Sequence, residues 1–340
     1  MPEEKHNAAA YKLENFVETS SSTAAPPNRV PESKYIPSKE LTTAREVAGF
    51  LNRPLLLAGE PGTGKTTYAH HVATVENRDL FIFNAKSVSQ AQDLFYVYDA
   101  VAHFANKSKS AVEFISLEAL GKSIINAFGI DKVKAMLLDN KSPNHQLKIL
   151  RECENRDMII ERFLEGCCGN ESVALIDEID KAPRDFANDI LNEIENYEFF
   201  IRELDLDISL DSAEAEKRSR MLVLITSNFD KNLPDAFLRR CLFHEIEFPD
   251  NHQLIRIIQS HIPDIDPSLL EKRIADFTRI RKDEGIAKPP STSELIDCLK
   301  WLKQSKTLEM ELHKNRAALA TLLKKKNDFK LIYKDPPGAE

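Results

Sequence analysis

The chain has 340 residues, with 46 Lys and Arg against 54 Asp and Glu, so its formal net charge is −8. This acidic balance disfavours a general nucleic-acid binder, because phosphate binding rests on clustered Lys and Arg. A local basic patch would still allow such binding. No apolar run approaches the ~20 residues of a membrane span. The acidic N-terminus also lacks the basic and apolar segments of a signal peptide, so we expect a cytoplasmic protein.

The chain begins with a predicted arm, which an α/β core follows. Residues 17–39 are rich in Ser, Thr and Pro, which predicts a flexible arm over residues 1–40 or a strap that lies on the folded body. Helical spacing of apolar residues starts near Leu41. Continuous apolar runs then alternate with helical patterns, which is typical of a parallel sheet covered by helices on both faces. The predicted strands are 54–58, 80–85, 172–177 and 221–228.

This core is predicted to span residues 41–248. Within it, residues 86–170 have a mostly helical pattern, and the polar residues 205–220 predict an exposed loop. Residues 249–335 then predict a separate helical domain, with a short apolar run at 330–333 as a candidate strand. Its clearest helix start is the capping box that Ser291 forms with a glutamate three residues later.

The most specific motif follows the first apolar run. Residues 59–66 read Gly-Glu-Pro-Gly-Thr-Gly-Lys-Thr between a predicted strand and a predicted helix, and this context disfavours a chance glycine-rich turn. Glycines let backbone N–H groups form a phosphate nest at the helix start. Lys65 would reach the β- and γ-phosphates, and the Thr66 hydroxyl would ligate Mg²⁺. The residues predicted to bind nucleotide are Gly59, Glu60, Pro61, Gly62, Thr63, Gly64, Lys65, Thr66 and Thr67.

Two acids, Asp177 and Glu178, follow the third apolar run. The carboxyl ends of parallel strands meet at one edge of the sheet, where α/β proteins bind their ligands. Asp177 would hold Mg²⁺ through its water shell, and Glu178 would polarise the water that attacks the γ-phosphate. A strand that merely enters a solvated turn is the alternative, and the P-loop earlier in the chain disfavours it.

Polar residues also follow the fourth apolar run. Asn228 would orient the attacking water or the γ-phosphate, although a strand end with a turn is the common alternative. Arg239 and Arg240 end a short predicted helix that begins near Pro234. They either complement the helix dipole or act as an arginine finger on a neighbour's γ-phosphate. Both interpretations of the arginines stay open.

In this order, the motifs resemble the AAA+ ATPases over residues 41–335, and two stretches resemble the MoxR group within them. Residues 90–100 are similar to that group's QxxDLLYxxDA helix, and residues 177–191 are similar to its Walker B segment and following helix. The resemblance implies an AAA+ P-loop core with a central parallel sheet, followed by a C-terminal helical lid domain. It also implies ATP with Mg²⁺, Asn228 as sensor 1, and an arginine finger at position 239 or 240.

The same resemblance implies a homo-oligomeric ring, usually hexameric, that remodels a protein partner, often one with a von Willebrand factor A domain. One residue departs from the family's pattern. The lid motif usually carries an arginine where Ser293 stands in Pro-Ser-Thr-Ser-Glu. Serine cannot contact a phosphate as a cation, and Lys288 is the nearest substitute along the chain.

Three functions follow from these observations. The first is a MoxR-like chaperone that acts on a protein partner. The second is a DNA-associated motor or loader, which would need a basic surface such as the cluster of Lys324, Lys325, Lys326, Lys330 and Lys334. The third is a nucleotide-gated regulatory or defence module, which Ser293 slightly favours.

Overall fold

The computed structural model describes residues 34–209, 215–229 and 232–333. Most of the predicted arm, residues 1–33, lies outside the described residues, and the first helix begins at Lys39 within that predicted arm. Nowhere in the described ranges does a helix combine the length and apolar character that crossing a membrane requires.

The described residues form strands and helices with the following bounds. The strands are β1 (Leu55–Ala58), β2 (Asp79–Asn84), β3 (Tyr96–Tyr98), β4 (Ile115–Leu117), β5 (Ser172–Asp177), β6 (Glu198–Ile201), β7 (Leu206–Ser209), β8 (Met221–Ser227) and β9 (Leu242–Glu245). The helices are α1 (Lys39–Leu51), α2 (Lys65–Val75), α3 (Ala100–Ala105), α4 (Ala119–Phe128), α5 (Ile130–Leu137), α6 (His145–Glu152), α7 (Arg156–Phe163), α8 (Phe186–Asp189), α9 (Leu191–Asn196), α10 (Ala215–Ser219), α11 (Asp235–Leu238), α12 (Asn251–His261), α13 (Pro267–Arg281), α14 (Thr292–Gln304), α15 (Arg316–Leu322) and α16 (Lys326–Ile332).

A five-stranded parallel sheet with the order β2-β5-β8-β1-β9 forms the centre of the fold. Side chains alternate between the two faces of each strand, so consecutive residues enter different cores. Leu57, Leu175 and Leu224 pack in the core that includes α1 and α2. Their neighbours Leu56, Ile176 and Ile225 pack in the core on the other face, which includes α4. The predicted α/β class, with a parallel sheet covered on both faces, is confirmed.

The C-terminal helices α12–α16 have a hydrophobic core of their own, whose buried members lie between Leu254 and Leu323. The predicted capping box is confirmed, because the Ser291 hydroxyl accepts from the Glu294 N–H and the Glu294 carboxylate accepts from the Ser291 N–H. The buried stripe below it consists of Leu295, Leu299 and Leu302. The candidate strand at 330–333 is wrong, because residues 330–332 belong to α16 and Tyr333 is the residue that ends this helix. The division into domains at residue 248 stays a prediction.

Two segments of the core differ from their predicted structure. Residues 90–100 are not one helix: a 3₁₀ turn over Ala91–Leu94 leads into β3, which pairs with β4. The aromatic and β-branched sequence of β3 suits a pleated strand. Residues 206–209 form β7 instead of an exposed loop, since Leu206 and Ile208 are buried while β7 pairs with β6. Residues 215–219 of that predicted loop form the short helix α10, and residues 210–214 lie outside the described residues.

The edge strand β9 is absent from the prediction. Its sequence, Leu-Phe-His-Glu, lacks the continuous apolar pattern of the inner strands, and its residues are exposed or half-buried. It pairs with β1 in parallel register from Leu55 opposite Leu242 to Ala58 opposite Glu245. An edge strand needs to bury less apolar surface than an inner strand, so local periodicity signals it weakly.

Candidate functional site

The phosphate-loop motif lies between β1 and α2, as its sequence predicts. Gly62 and Gly64 have positive φ angles of 80° and 94°, a conformation that glycine adopts without steric cost. A Cβ at Gly62 would clash with the Ser291 side chain, and one at Gly64 would lie 2.8 Å from the Tyr35 ring. The loop is therefore a cradle that other parts of the chain approach closely. No side chain caps α2 at Gly64, so its first N–H groups face the loop.

Lys65, the first residue of α2, is buried and directs its ammonium group back to the loop. Its Nζ donates to the carbonyl oxygens of Gly59 at 2.7 Å and Glu60 at 2.9 Å. These bonds hold a positive charge beside the nest of backbone N–H groups. The combination can attract and orient an anionic group such as a phosphate chain.

Thr66 and Asp177 meet across the site although 111 residues separate them along the chain. The Thr66 hydroxyl donates to Asp177 Oδ1 at 2.9 Å, which joins the start of α2 to the end of β5. The hydroxyl and the carboxylate are both hard oxygen donors, the ligand type that Mg²⁺ prefers. This part of the predicted site is brought together in the structure.

Sequence reasoning missed Thr226, which connects the two acids. Its hydroxyl, fully buried near the end of β8, donates to Asp177 Oδ1 at 2.6 Å and accepts from the Glu178 N–H at 2.7 Å. The parallel pairing of Ile176 with Ile225 places Thr226 beside these acids. A hydroxyl residue inside an otherwise apolar strand was the available signal.

Glu178 lies at a sharp bend after β5, with a φ angle of 56°. This left-handed conformation is uncommon for a residue with a side chain and is frequent at functional sites. Asn228 Nδ2 donates to Glu178 Oε1 at 3.3 Å, and the Asn228 N–H donates to the buried Asp180 carboxylate. Lys181 forms an ion pair with Glu178 Oε2, and this hydrogen bond raises the pKa of Lys181. The carboxylate of Glu178 is thus oriented from two sides.

Replacing Thr226 by Val is expected to lower the free energy of unfolding by about 1–3 kcal/mol, the cost of an unsatisfied buried polar group. Valine keeps the shape but removes the acceptor for the Glu178 N–H and the donor to Asp177. Urea denaturation would measure the loss. The control is Thr43→Val, because that exposed hydroxyl bonds only the Lys39 carbonyl within its own helix. Equal stability of the two variants would contradict the bridging role.

The two arginines after β8 have different surroundings. The Arg240 Nε donates to Glu195 Oε2 at 2.7 Å and its Nη1 donates to the Ala236 carbonyl, so Arg240 is held within its own chain. Arg239 is exposed, and no hydrogen bond or ion pair of its side chain occurs within the described part of the chain. Neither arginine contacts the residues of the P-loop there.

A cleft of about 970 Å³ opens beside the P-loop. Ser293 lines it together with two cations of the C-terminal helices, Arg256 and Lys300, whereas Lys288 is not among its lining residues. Lys288 is exposed, and its backbone N–H bonds the Asp328 carboxylate. Because the residue does not line the cleft, the structure gives no support to Lys288 as a substitute for the missing arginine. The walls of the cleft come from residues 34–41, 62–64 and 244–250 and from the facing sides of α12 and α14.

Aromatic side chains outside the predicted site also line or border this cleft. The Tyr35 ring packs at a tilt against two rings of α2, with its centre 5.6 Å from that of Tyr68 and 5.5 Å from that of His71. Burial raises the pKa of Tyr35 to about 12. Burial lowers the pKa of His244 and of His261, and the charges of nearby lysines lower that of His261 further. These shifts favour uncharged aromatic rings at neutral pH, which suits a flat, partly apolar ligand group.

A phosphate loop, a helix N-terminus and a pair of acids at the carboxyl edge of a parallel sheet define a P-loop nucleotide hydrolase. The family model of the AAA domain (dynein-related subfamily) matches residues 54–241, more than half of the chain. The chain therefore belongs to this family of ATPases. No curated protein sequence matches it significantly.

Two solved structures with similar backbones are forms of one protein. The Holliday junction branch migration motor RuvB of Thermotoga maritima is 16% identical over 83% of this chain and 66% of its own, with a TM-score of 0.40. A threonine-to-valine variant of RuvB is 14% identical with the same coverage and a TM-score of 0.41. This chain thus spans just under two thirds of the motor's length. Similarity at this level says nothing about the substrate.

Proposed function

We propose that this chain hydrolyses ATP with Mg²⁺ in an oligomeric ring and thereby remodels a protein partner, as in the MoxR group that its motifs resemble. The P-loop and Lys65 would hold the phosphates, and Thr66 with Asp177 would hold the metal ion. Glu178 would act as the general base, and Asn228 would orient it. Membership of the AAA family supports the ATPase part of this proposal.

The observation that carries the proposal is the 2.9 Å hydrogen bond between Thr66 and Asp177. It shows that a hydroxyl of the P-loop helix and a carboxylate of the central sheet converge on one point. A divalent ion that replaced the shared proton would find two oxygen donors in place, so the residues fit Mg²⁺. When bound, the ion would neutralise charge on the phosphates.

The proton-accepting step is assigned to Glu178. Its carboxylate lies one residue beyond Asp177 and is 38% exposed, so a water molecule can reach it. The amide of Asn228 and the ammonium group of Lys181 determine the direction in which the carboxylate faces. A base held in this way can take the proton of a water molecule that attacks the terminal phosphate.

The arginine finger is assigned to Arg239 rather than Arg240. A finger acts on the site of a neighbouring subunit, so its guanidinium must be available at the surface. Arg239 is exposed, whereas Arg240 is engaged by Glu195 and by the Ala236 carbonyl. The proposed ring, hexameric in most relatives that the resemblance covers, follows from this sharing of the site.

A protein partner is favoured over DNA by the distribution of charge. The net charge is −8, and four lysines of the cluster, Lys324, Lys325, Lys326 and Lys330, lie within the described residues. Lys324, the first residue of that cluster, bonds the Thr321 carbonyl at 2.7 Å and lies 3.7 Å from the Glu294 carboxylate. This lysine is thus partly neutralised within the chain. A protein with a von Willebrand factor A domain is the partner class that the MoxR resemblance implies.

Phosphate release by the purified chain tests the proposal. We expect Mg²⁺-dependent turnover that a protein with a von Willebrand factor A domain changes and that duplex DNA leaves unchanged. DNA contacts through Lys and Arg weaken steeply with salt, so salt-sensitive stimulation by DNA would support the DNA motor instead. Binding of ATP without turnover in the assembled protein would support the nucleotide-gated module.

A further inference from the structure

Arg281, the last residue of α13, contacts the P-loop from the C-terminal helices. Its Nη2 forms an ion pair with Glu60 Oε2, although 221 residues separate the two along the chain. Its Nη1 donates to the Pro290 carbonyl at 2.7 Å, and its guanidinium lies 3.6 Å from the centre of the Phe248 ring. The side chain is only 14% exposed. Three contacts therefore fix this cation before any ligand arrives.

Glu60 is the exposed member of the pair, since 63% of its side chain is open to solvent. Its backbone belongs to the phosphate cradle, since the Glu60 carbonyl accepts from Lys65 Nζ at 2.9 Å. Its carboxylate is therefore a negative charge attached to a loop that must receive negative phosphates. An unpaired carboxylate at this point would repel them.

From these contacts we infer that Arg281 is a positioning residue of the nucleotide site: the C-terminal helices use it to neutralise Glu60 and hold it away from the phosphates. The inference rests on the proposed nucleotide binding at the P-loop. Arg281 also gives those helices a cationic contact with the site, which Ser293 cannot supply. The second contact between them and the loop, Ser291 against Gly62, carries no charge.

An electrostatic role and a purely mechanical latch predict opposite changes in nucleotide affinity for Glu60→Gln. If the pair were only a latch, Glu60→Gln and Arg281→Met would both weaken nucleotide binding. If Arg281 neutralises Glu60, Arg281→Met exposes a repulsive charge, whereas Glu60→Gln removes that charge and leaves a cation beside the phosphates. Binding then weakens in the first variant and strengthens in the second.

Equilibrium titration of the full chain with ADP and Mg²⁺ measures these effects. Arg281→Met, which keeps an apolar stem against Phe248, is expected to raise the Kd about tenfold, as one unit charge near a phosphate chain can. Glu60→Gln is expected to lower the Kd a few-fold, and the double variant to return close to the original value. Arg281→Lys is expected to keep most of the affinity, because it keeps the charge.

Two controls separate this effect from misfolding and from general charge. Arg279→Met removes the same charge two residues earlier on α13, where the arginine is 75% exposed and pairs with Asp276, so the Kd is expected to stay unchanged. Thermal unfolding of each variant reports on folding. The differences in Kd are expected to shrink at high ionic strength, where exposed charges are screened.

The result that would overturn the inference is weaker binding by Glu60→Gln, or an unchanged Kd in folded Arg281→Met. Failure of the proposed function has a different signature. In that case neither the unmodified chain nor Lys65→Ala would bind ADP. If Lys65→Ala loses ADP binding while Arg281→Met keeps the original Kd, the proposed nucleotide site stands. Only the role of Arg281 is then rejected.

Discussion

Replacing Glu178 by Gln is expected to leave ATP bound while the rate of hydrolysis falls by about 10²–10⁴-fold, the range for loss of a general base. Glutamine keeps the shape and still accepts a hydrogen bond from the Asn228 amide at the position of Oε1. It cannot take a proton from water, so the chemical step fails while the cradle stays intact. Phosphate release and equilibrium ATP binding would be measured on the same preparation.

Lys65→Ala supplies the opposite result for comparison. It removes the buried ammonium group that bonds the Gly59 and Glu60 carbonyls, so ATP binding itself is expected to be lost. Glu161→Gln is the matched control for the glutamate variant, since Glu161 lies exposed on α7 and outside the site. Hydrolysis at the original rate in Glu178→Gln would remove Glu178 from the role of base.

Replacing Arg239 by Ala is expected to lower ATP hydrolysis by about 10³–10⁵-fold, the effect of losing an arginine finger. The physical reason is that the terminal phosphate gains charge in the transition state and a neighbour's guanidinium stabilises it. An arginine that merely complements a helix end contributes only ~0.3–1 kcal/mol of stability. The two interpretations therefore differ by orders of magnitude in the measured rate.

Arg240→Ala is the matched comparison, because this arginine is already held by Glu195 at 2.7 Å. It is expected to change stability slightly and to keep most of the turnover. If instead Arg240→Ala loses the activity and Arg239→Ala keeps it, the assignment between the two residues is reversed. Full activity in the double variant would refute a finger at either position.

Mixing variants tests whether the site is shared between subunits. Arg239→Ala and Glu178→Gln are each expected to be nearly inactive. In a mixed ring some interfaces combine an intact Glu178 with an intact Arg239, so part of the activity is expected to return. The rate per subunit should also fall on dilution, because assembly precedes chemistry. A rate that is independent of dilution would show that one subunit hydrolyses ATP alone.

The elements that the sequence predicts correctly are those whose signal lies within a few consecutive residues. The cradle of residues 59–66 needs only its glycines, its lysine and the helix that follows. The strand that ends at Asp177 is a continuous apolar run, and the capping box at Ser291 spans four residues. Local conformation and burial on both faces suffice to specify these features.

Longer segments with mixed patterns are predicted less well from the sequence. β3, with Tyr96 buried and Val97 exposed, becomes a strand only because β4 lies beside it. The buried Ile208 likewise has a place in the core only once β7 pairs with β6. In both segments the pairing partner decides between helix, loop and strand, and such partners are not encoded in local periodicity.

The sequence by itself determined the class of site: a phosphate cradle with Lys65, two acids and a polar residue at the same edge of a parallel sheet. Only the tertiary structure decided how these groups are connected. The register of β5 with β8 places Thr226 between Asp177 and Glu178, and the packing of α13 brings Arg281 to Glu60 across 221 residues. These contacts depend on distances between remote parts of the chain, because register and packing, rather than spacing along the sequence, determine which polar groups meet.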